Sequence, residues 1–361
     1  MKWKIGWGTM LNCNMNCQFC YSKKTRDEVK NLKLVDWINF VDSNNKFIDE
    51  INYGTGENTL SKDWFTLVNY IRKNYPDIKQ ALTTNGYLSE QITLNKELEQ
   101  IFSDSIDEID VSLDFADRER HNLWRGQPMA YQWATDTLDI CNKMNKNTTI
   151  VYIGTNETCE INNLERLFEI SNDNNAKLRM NIYRPTDGIN EKTKKFFLSY
   201  SKLKEVIYYV YDRHKILSLC DPLLAAVFTK TSKREDPSGN NSIRILPDGS
   251  ITPSTYLISE NFRKENILNS DCLKNIDRDE VFRNVFLNVL PQECKNCMYR
   301  DRCNGGVMDR RYLWYGSFLK RDPYCPLQNG DNLEIRKIEI YNDKKFTSIH
   351  DGYLPTIFFK A

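Results

Sequence analysis

Cys13-Asn14-Met15-Asn16-Cys17-Gln18-Phe19-Cys20 places three thiols in a C-x3-C-x2-C pattern, directly after the β-type segment Lys4 to Gly8. Three thiolates at these offsets can hold three irons of a cubane iron–sulfur cluster and leave the fourth iron open. A cluster with a free iron is a site for chemistry, whereas four protein ligands mostly serve electron transfer. A zinc knuckle is the competing use of the same residues, and its fourth ligand has to come from elsewhere. Disulfides fit poorly, because the chain has 11 cysteines, an odd number, and no secretory signal precedes them.

Outward from this run, short β-type segments alternate with helix-type ones, the pattern of parallel βα units. The expected strands are Lys4 to Gly8, Phe47 to Tyr53, Ile78 to Thr84, Glu108 to Ser112, Thr148 to Ile153 and Leu178 to Tyr183. The fold class read from them is α/β, a partial barrel of six βα units. Trp133, Thr137, Ile140, Cys141 and Met144 recur at helical intervals, which makes Cys141 a packed core thiol. In such folds functional groups collect at the carboxyl ends of the strands, and the cysteine run follows the first strand.

The C-x3-C-x2-C run with an aromatic, Phe19, before its last cysteine resembles the signature of the radical S-adenosylmethionine (radical SAM) enzymes. That resemblance implies a [4Fe–4S] cluster on Cys13, Cys17 and Cys20 whose open iron is chelated by SAM. One electron then cleaves SAM to a 5′-deoxyadenosyl radical, which takes hydrogen from an unactivated C–H bond. Gly54-Thr55-Gly56-Glu57 after the second strand is similar to the family's GGEP segment. It implies close backbone approach at Gly56 and acceptance from the SAM ammonium by Glu57. Thr83-Thr84-Asn85-Gly86 resembles the TNG of relatives and brings in Asn85. Ser112 and Arg125 look like the serine and arginine that hold the SAM ribose and carboxylate. His121 is read as structural.

A second group, Cys294, Cys297 and Cys303 in CKNCMYRDRC with Cys325 further on, has the ligands for a complete metal site. Its physics suits zinc or an iron–sulfur cluster alike. The block resembles the SPASM extension of radical SAM enzymes, with a glycine-led turn upstream at Leu246-Pro247-Asp248-Gly249. The resemblance implies one auxiliary [4Fe–4S] cluster on these four thiolates. The family's other auxiliary cluster needs cysteines where this chain has Ser254 and Val307, and an early one near Asp236, so that site is expected to be empty. Cys159, Cys220 and Cys272 are left as packed thiols.

The organisation expected is thus a partial (β/α)6 TIM-type barrel over residues 1–215 and a connecting helix and linker over 216–240. A small α+β SPASM/twitch-like cluster-binding domain follows over 241–330, then a tail over 331–361. Alternation in Leu333 to Ile340 argues for a strand, and the apolar Leu354 to Phe359 is expected to dock on the barrel.

Lys and Arg number 50 against 49 Asp and Glu, a net charge of +1, which gives no reason for a nucleic-acid partner. No stretch approaches the roughly 20 apolar residues that cross a bilayer. A cytoplasmic location follows, and it suits thiolates that must stay reduced.

The family likeness points to hydrogen abstraction from a residue of a ribosomally made precursor peptide, ending in a cross-link, an epimer, an oxidised side chain or backbone excision. Because the barrel starts within the first residues, a separate leader-binding protein is expected, together with a flavodoxin- or ferredoxin-type electron donor. The rivals are a radical SAM dehydrogenase of a small molecule and a non-catalytic iron–sulfur or zinc scaffold.

Overall fold

The computed structural model describes residues 2–23, 30–279 and 290–361. Six parallel strands follow one another in chain order: β1 (Trp3–Trp7), β2 (Ile48–Tyr53), β3 (Lys79–Thr84), β4 (Glu108–Ser112), β5 (Asn147–Gly154) and β6 (Lys177–Ile182). The strands expected from the sequence agree with these to within a residue at each end. Helices such as Lys62–Asn74, Ala130–Lys143 and Ile161–Asp173 cover the outside, giving the α/β partial barrel.

Strand alternation explains how the sheet serves two environments. On β4, Ile109 and Val111 join the apolar core under the helices, while Ser112 faces the barrel mouth and Asp110 its interior. Asp110 accepts from Arg179 of β6 at 2.9 Å and from Thr83 of β3 at 3.2 Å. The interior is therefore polar and cross-linked between strands, since a buried charge is tolerated only when paired and hydrogen-bonded.

The sheet does not stop at β6. β7 (Lys215–Leu219), β8 (Ser242–Ile245), β9 (Ser250–Thr252), β10 (Glu265–Asn266) and β11 (Ile357–Lys360) complete the order β10-β9-β8-β1-β2-β3-β4-β5-β6-β11-β7. β8 lies parallel to β1, so the cysteine-rich segment is anchored on the barrel's first strand. The apolar end of the chain docks as β11, antiparallel to both β6 and β7.

Just before it, the tail closes the amino-terminal end of the barrel. Ser348 donates to Glu108 at 2.6 Å, and His350 Nδ1 lies 3.0 Å from Asp110. Burial holds His350 well below its ordinary value, at about 3, so it is neutral there. Tyr353 reaches deeper still. A Cβ on Gly6 would meet its hydroxyl at 1.6 Å, so the glycine is required by close approach.

The strand expected over Leu333 to Ile340 does not form. Only Ile338 makes a bridge, to Thr229. Ile335 and Ile338 are the buried pair, three residues apart, and Arg336 stays on the surface, paired with Asp212. Local alternation gives a strand only where a sheet edge is open to pair with it, and β11 occupies the edge beside β6.

Candidate active site

The cysteine loop sits at the carboxyl end of β1 and is tied down by the loops that follow β2, β3 and β4. Glu57 N donates to Asn12 O (2.9 Å), Asn85 Nδ2 to Asn14 Oδ1 (2.7 Å), and Asn16 N to Arg125 O (3.2 Å). The loop asparagines thus hold the turn. Cys13, Cys17 and Cys20 line one cavity of about 160 Å³, with Gly56, Asn85, Ser112 and Arg125 around the same wall. Burial pushes the Cys17 thiol up to about 12, against the pull of the Arg125 guanidinium. A thiol in that setting gives up its proton to a metal, so metal binding there releases protons.

Phe19 stacks on Trp124 at 5.0 Å, and Arg125 lies 5.2 Å from the Phe19 ring. Arg125 is buried, and its fork closes on Asp114, from Nε at 2.7 Å and Nη2 at 2.6 Å. Asp114 also accepts from Ile153 N and donates its own N–H to His121 Nδ1. His121 is therefore a structural acceptor, and Arg125 reaches the pocket as a guanidinium already paired on one side.

Glu57 differs from its expected role. Its carboxylate is fully buried and accepts from Thr59 Oγ1 (2.7 Å), Thr84 Oγ1 (2.9 Å) and Asn85 N (2.7 Å), and it is not on the cavity wall. Burial raises its pKa while these donors oppose the rise. Glu57 thereby sets the β3 loop that presents Asn85. Gly56 does reach the wall, at φ +67°, and a Cβ there would lie 2.4 Å from Asn12 O. Gly56→Ala is expected to displace the cysteine loop and lower the iron bound after reconstitution several-fold, the readout being iron per chain. Left-handed strain of about 1–2 kcal/mol adds to the clash.

Sequence reasoning missed Asn181 and Tyr256 in the same cavity lining, and gave Arg184, in the family-like Tyr183-Arg184-Pro185, no weight. Asn181 Oδ1 is buried with no hydrogen-bond partner. Period-two alternation along β6 from Arg179 carried a signal for Asn181; nothing local marked Tyr256.

The second cysteine group also converges. Cys294, Cys297, Cys303 and Cys325 line a single cavity of about 20 Å³ beside Gly305 and Asp322. Where the family's other auxiliary cluster would take cysteines, Ser254 Oγ donates to Asp309 (2.7 Å), which accepts from Arg184 Nε (2.9 Å). Val307 is buried and Asp236 accepts from Met308 N at 2.7 Å. Cys141, Cys159, Cys220 and Cys272 are buried, and Cys220 donates to Asp351.

A parallel barrel whose first loop brings three thiols, and no fourth among the described residues, to a largely apolar pocket defines a protein built for an iron–sulfur cluster with an open iron. Residues 8–167 match the Radical SAM superfamily, so this part of the chain is a radical SAM domain, and the protein is an enzyme. It is 23% identical to the AdoMet-dependent heme synthase of Methanosarcina barkeri, over 90% of this chain and 97% of that protein. It is 22% identical to the mycofactocin maturase MftC of Mycolicibacterium smegmatis, over 89% and 82%. In fold it resembles SuiB of Streptococcus suis bound to precursor peptide SuiA (TM-score 0.70, 17% identity, 90% of this chain and 76% of that one). It also resembles anSMEcpe with bound AdoMet (TM-score 0.71, 17% identity, 91% and 92%).

The superfamily's cofactors are a [4Fe–4S] cluster and SAM. The wall fits them: three thiols for three irons, a side-chain-free backbone at Gly56, and an unpartnered Asn181 oxygen for a polar ligand. Among the described residues no helix is long and apolar enough to cross a membrane.

Proposed function

We propose that the enzyme removes hydrogen from one residue of a ribosomally made precursor peptide. The observation that carries this reading is the lining of the pocket, which brings the three thiols into one cavity with Asn181, Tyr183, Arg184 and Tyr256. When bound there, the cluster and SAM supply a 5′-deoxyadenosyl radical that takes hydrogen from an unactivated C–H bond. Cys13, Cys17 and Cys20 hold the irons, Asn85, Ser112 and Arg125 orient SAM, and Phe19 with Trp124 excludes water from the wall behind the cluster. Glu57 acts through Asn85. MftC and SuiB, a maturase and a protein that binds a precursor peptide, lend support by similarity.

In this reading residues 1–215 are the catalytic barrel, 216–240 a connection, 241–330 the auxiliary-cluster domain and 331–361 the tail. Cys294, Cys297, Cys303 and Cys325 hold one auxiliary [4Fe–4S] cluster that exchanges electrons or staples the segment. A leader-binding protein delivers the peptide, a flavodoxin or ferredoxin delivers the electron, and a reducing cytoplasm keeps the thiols free.

The test is anaerobic turnover of reconstituted enzyme with dithionite, SAM and short peptides encoded beside it. A peptide that raises 5′-deoxyadenosine above the substrate-free rate, and passes deuterium from one labelled residue into it, is the expected result. The likeness to a heme synthase favours a second reading, a small-molecule substrate. Stimulation by a tetrapyrrole and by no peptide would establish that one instead.

A further inference from the structure

Tyr256 stands on two walls. One belongs to the pocket that the three thiols also line. The other belongs to a surface groove of about 540 Å³ that also takes in Thr186, Asp187, Glu260, Phe262 and Tyr312. The ring is fixed between the two spaces, edge-on to Tyr21 at 5.5 Å and 5.4 Å from the Arg184 guanidinium. The groove therefore neighbours the site, with the Tyr256 ring between them.

The walls of the groove have a definite chemistry. Its floor is aromatic and apolar: Phe262 meets Tyr312 edge-on at 4.9 Å, and Leu257 and Met308 pack beneath them. Asp187 and Glu260 are its charged residues, both are exposed, and no lysine or arginine lines it. Neither carboxylate has an ion-pair partner among the described residues. Two unpaired carboxylates over an apolar floor make a local negative field that a nearly neutral protein, with a net charge of +1, does not have as a whole. An extended peptide chain suits such a groove, its apolar side chains against the floor and its cationic ones at the rim.

We propose that this groove holds the flank of the peptide substrate, and that the flank carries a lysine or arginine facing Asp187 and Glu260. The proposal rests on the peptide reading above and adds to it the charge of the substrate beside the attacked residue. Arg184 stays in the pocket paired with Asp309 and beside Tyr256, so the unpaired acidic groups that would attract a basic flank are those of the groove.

Fluorescence anisotropy of reconstituted, SAM-loaded enzyme tests this with two short labelled peptides of otherwise equal composition, one bearing lysines and one glutamates. The lysine peptide is expected to bind about tenfold more tightly at low salt, and the difference is expected to shrink as salt screens it. In the double variant Asp187→Lys/Glu260→Lys, checked for an unchanged circular dichroism spectrum and melting midpoint, the preference is expected to invert. Peptides that bind the parent equally, or a lysine preference that survives the reversal, overturn the groove assignment and leave the peptide reading in place. Failure of both peptides to bind the parent at all overturns both.

Discussion

The variant Cys13→Ala/Cys17→Ala/Cys20→Ala is expected to form no 5′-deoxyadenosine above the reagent background, with its iron falling from about eight to about four per chain. The three thiols share one cavity wall, so removing them deletes every ligand the first site offers. The other four cysteines lie around a separate cavity, built from the segment after residue 290 and anchored by its own hydrogen bonds, such as Cys325 N to Asp322 O at 2.9 Å. They keep their metal in the variant.

The fold tolerates the change because the loop is held through backbone and asparagine contacts, including Glu57 N to Asn12 O and Asn85 Nδ2 to Asn14 Oδ1. Circular dichroism and the melting midpoint of the metal-free forms are expected to match. Iron and sulfide analysis, run beside a zinc assay, separates the outcomes. About four irons in the parent, none in the variant and zinc in both would make the tail a structural zinc site. Deoxyadenosine surviving in the variant would remove the three thiols from the chemistry altogether.

The parts of this molecule that were legible in its sequence are those fixed by local spacing. Cys13, Cys17 and Cys20 lie within eight residues, and six βα units each announce themselves by their own alternation. What escaped depends on closure of the barrel. Arg125 was read as the residue that holds the SAM carboxylate, and it does line the pocket, but its pairing with Asp114 was not foreseen. Glu57 was expected to accept from the SAM ammonium on the likeness of Gly54-Thr55-Gly56-Glu57 to the GGEP segment, but strand packing turns its carboxylate onto the β3 loop. The Asp110–Arg179 pair spans 69 residues, and Ser348 reaches Glu108 across 240. Such pairs are set by which strands become neighbours, and nothing in a window of a dozen residues encodes that. The tail shows the same limit in reverse: the alternation in Leu333 to Ile340 is real, but the edge it needed was taken by β11.

Arg310→Met is expected to lower stability by about 3–5 kcal/mol at neutral pH, the cost of leaving buried charge without its partner. Arg310 is fully buried and clamps two carboxylates, Asp221 at 2.6 Å and Asp322 at 2.5 Å. Both carboxylates hold the pKa of the guanidinium above its ordinary range, against desolvation. Methionine fills the volume but supplies no charge, so the variant must keep two acids in the core or protonate them.

That choice gives the pH dependence its sign. A carboxylate buried without a counter-charge has a folded pKa above its unfolded value, so its destabilisation is absent below the unfolded value and grows as pH rises past it. The deficit of Arg310→Met is therefore largest near pH 7 and shrinks toward about pH 4, the ordinary carboxylate range. Urea unfolding midpoints across that range, for parent and variant, measure it.

The local consequence is larger than a loss of stability. Asp322 also accepts from Val307 N (2.9 Å) and Tyr324 N (2.9 Å), and its own carbonyl takes Cys325 N. Once Asp322 loses Arg310, both approaches to the four-thiol cavity, from Cys303 through Gly306 and from Asp322 to Cys325, lose the group that joins them. Metal at Cys294, Cys297, Cys303 and Cys325 should then exchange faster with a chelator, while the Cys13 site keeps its iron. A variant within about 1 kcal/mol of the parent at every pH, with unchanged metal retention, would show that the clamp is a replaceable element of packing.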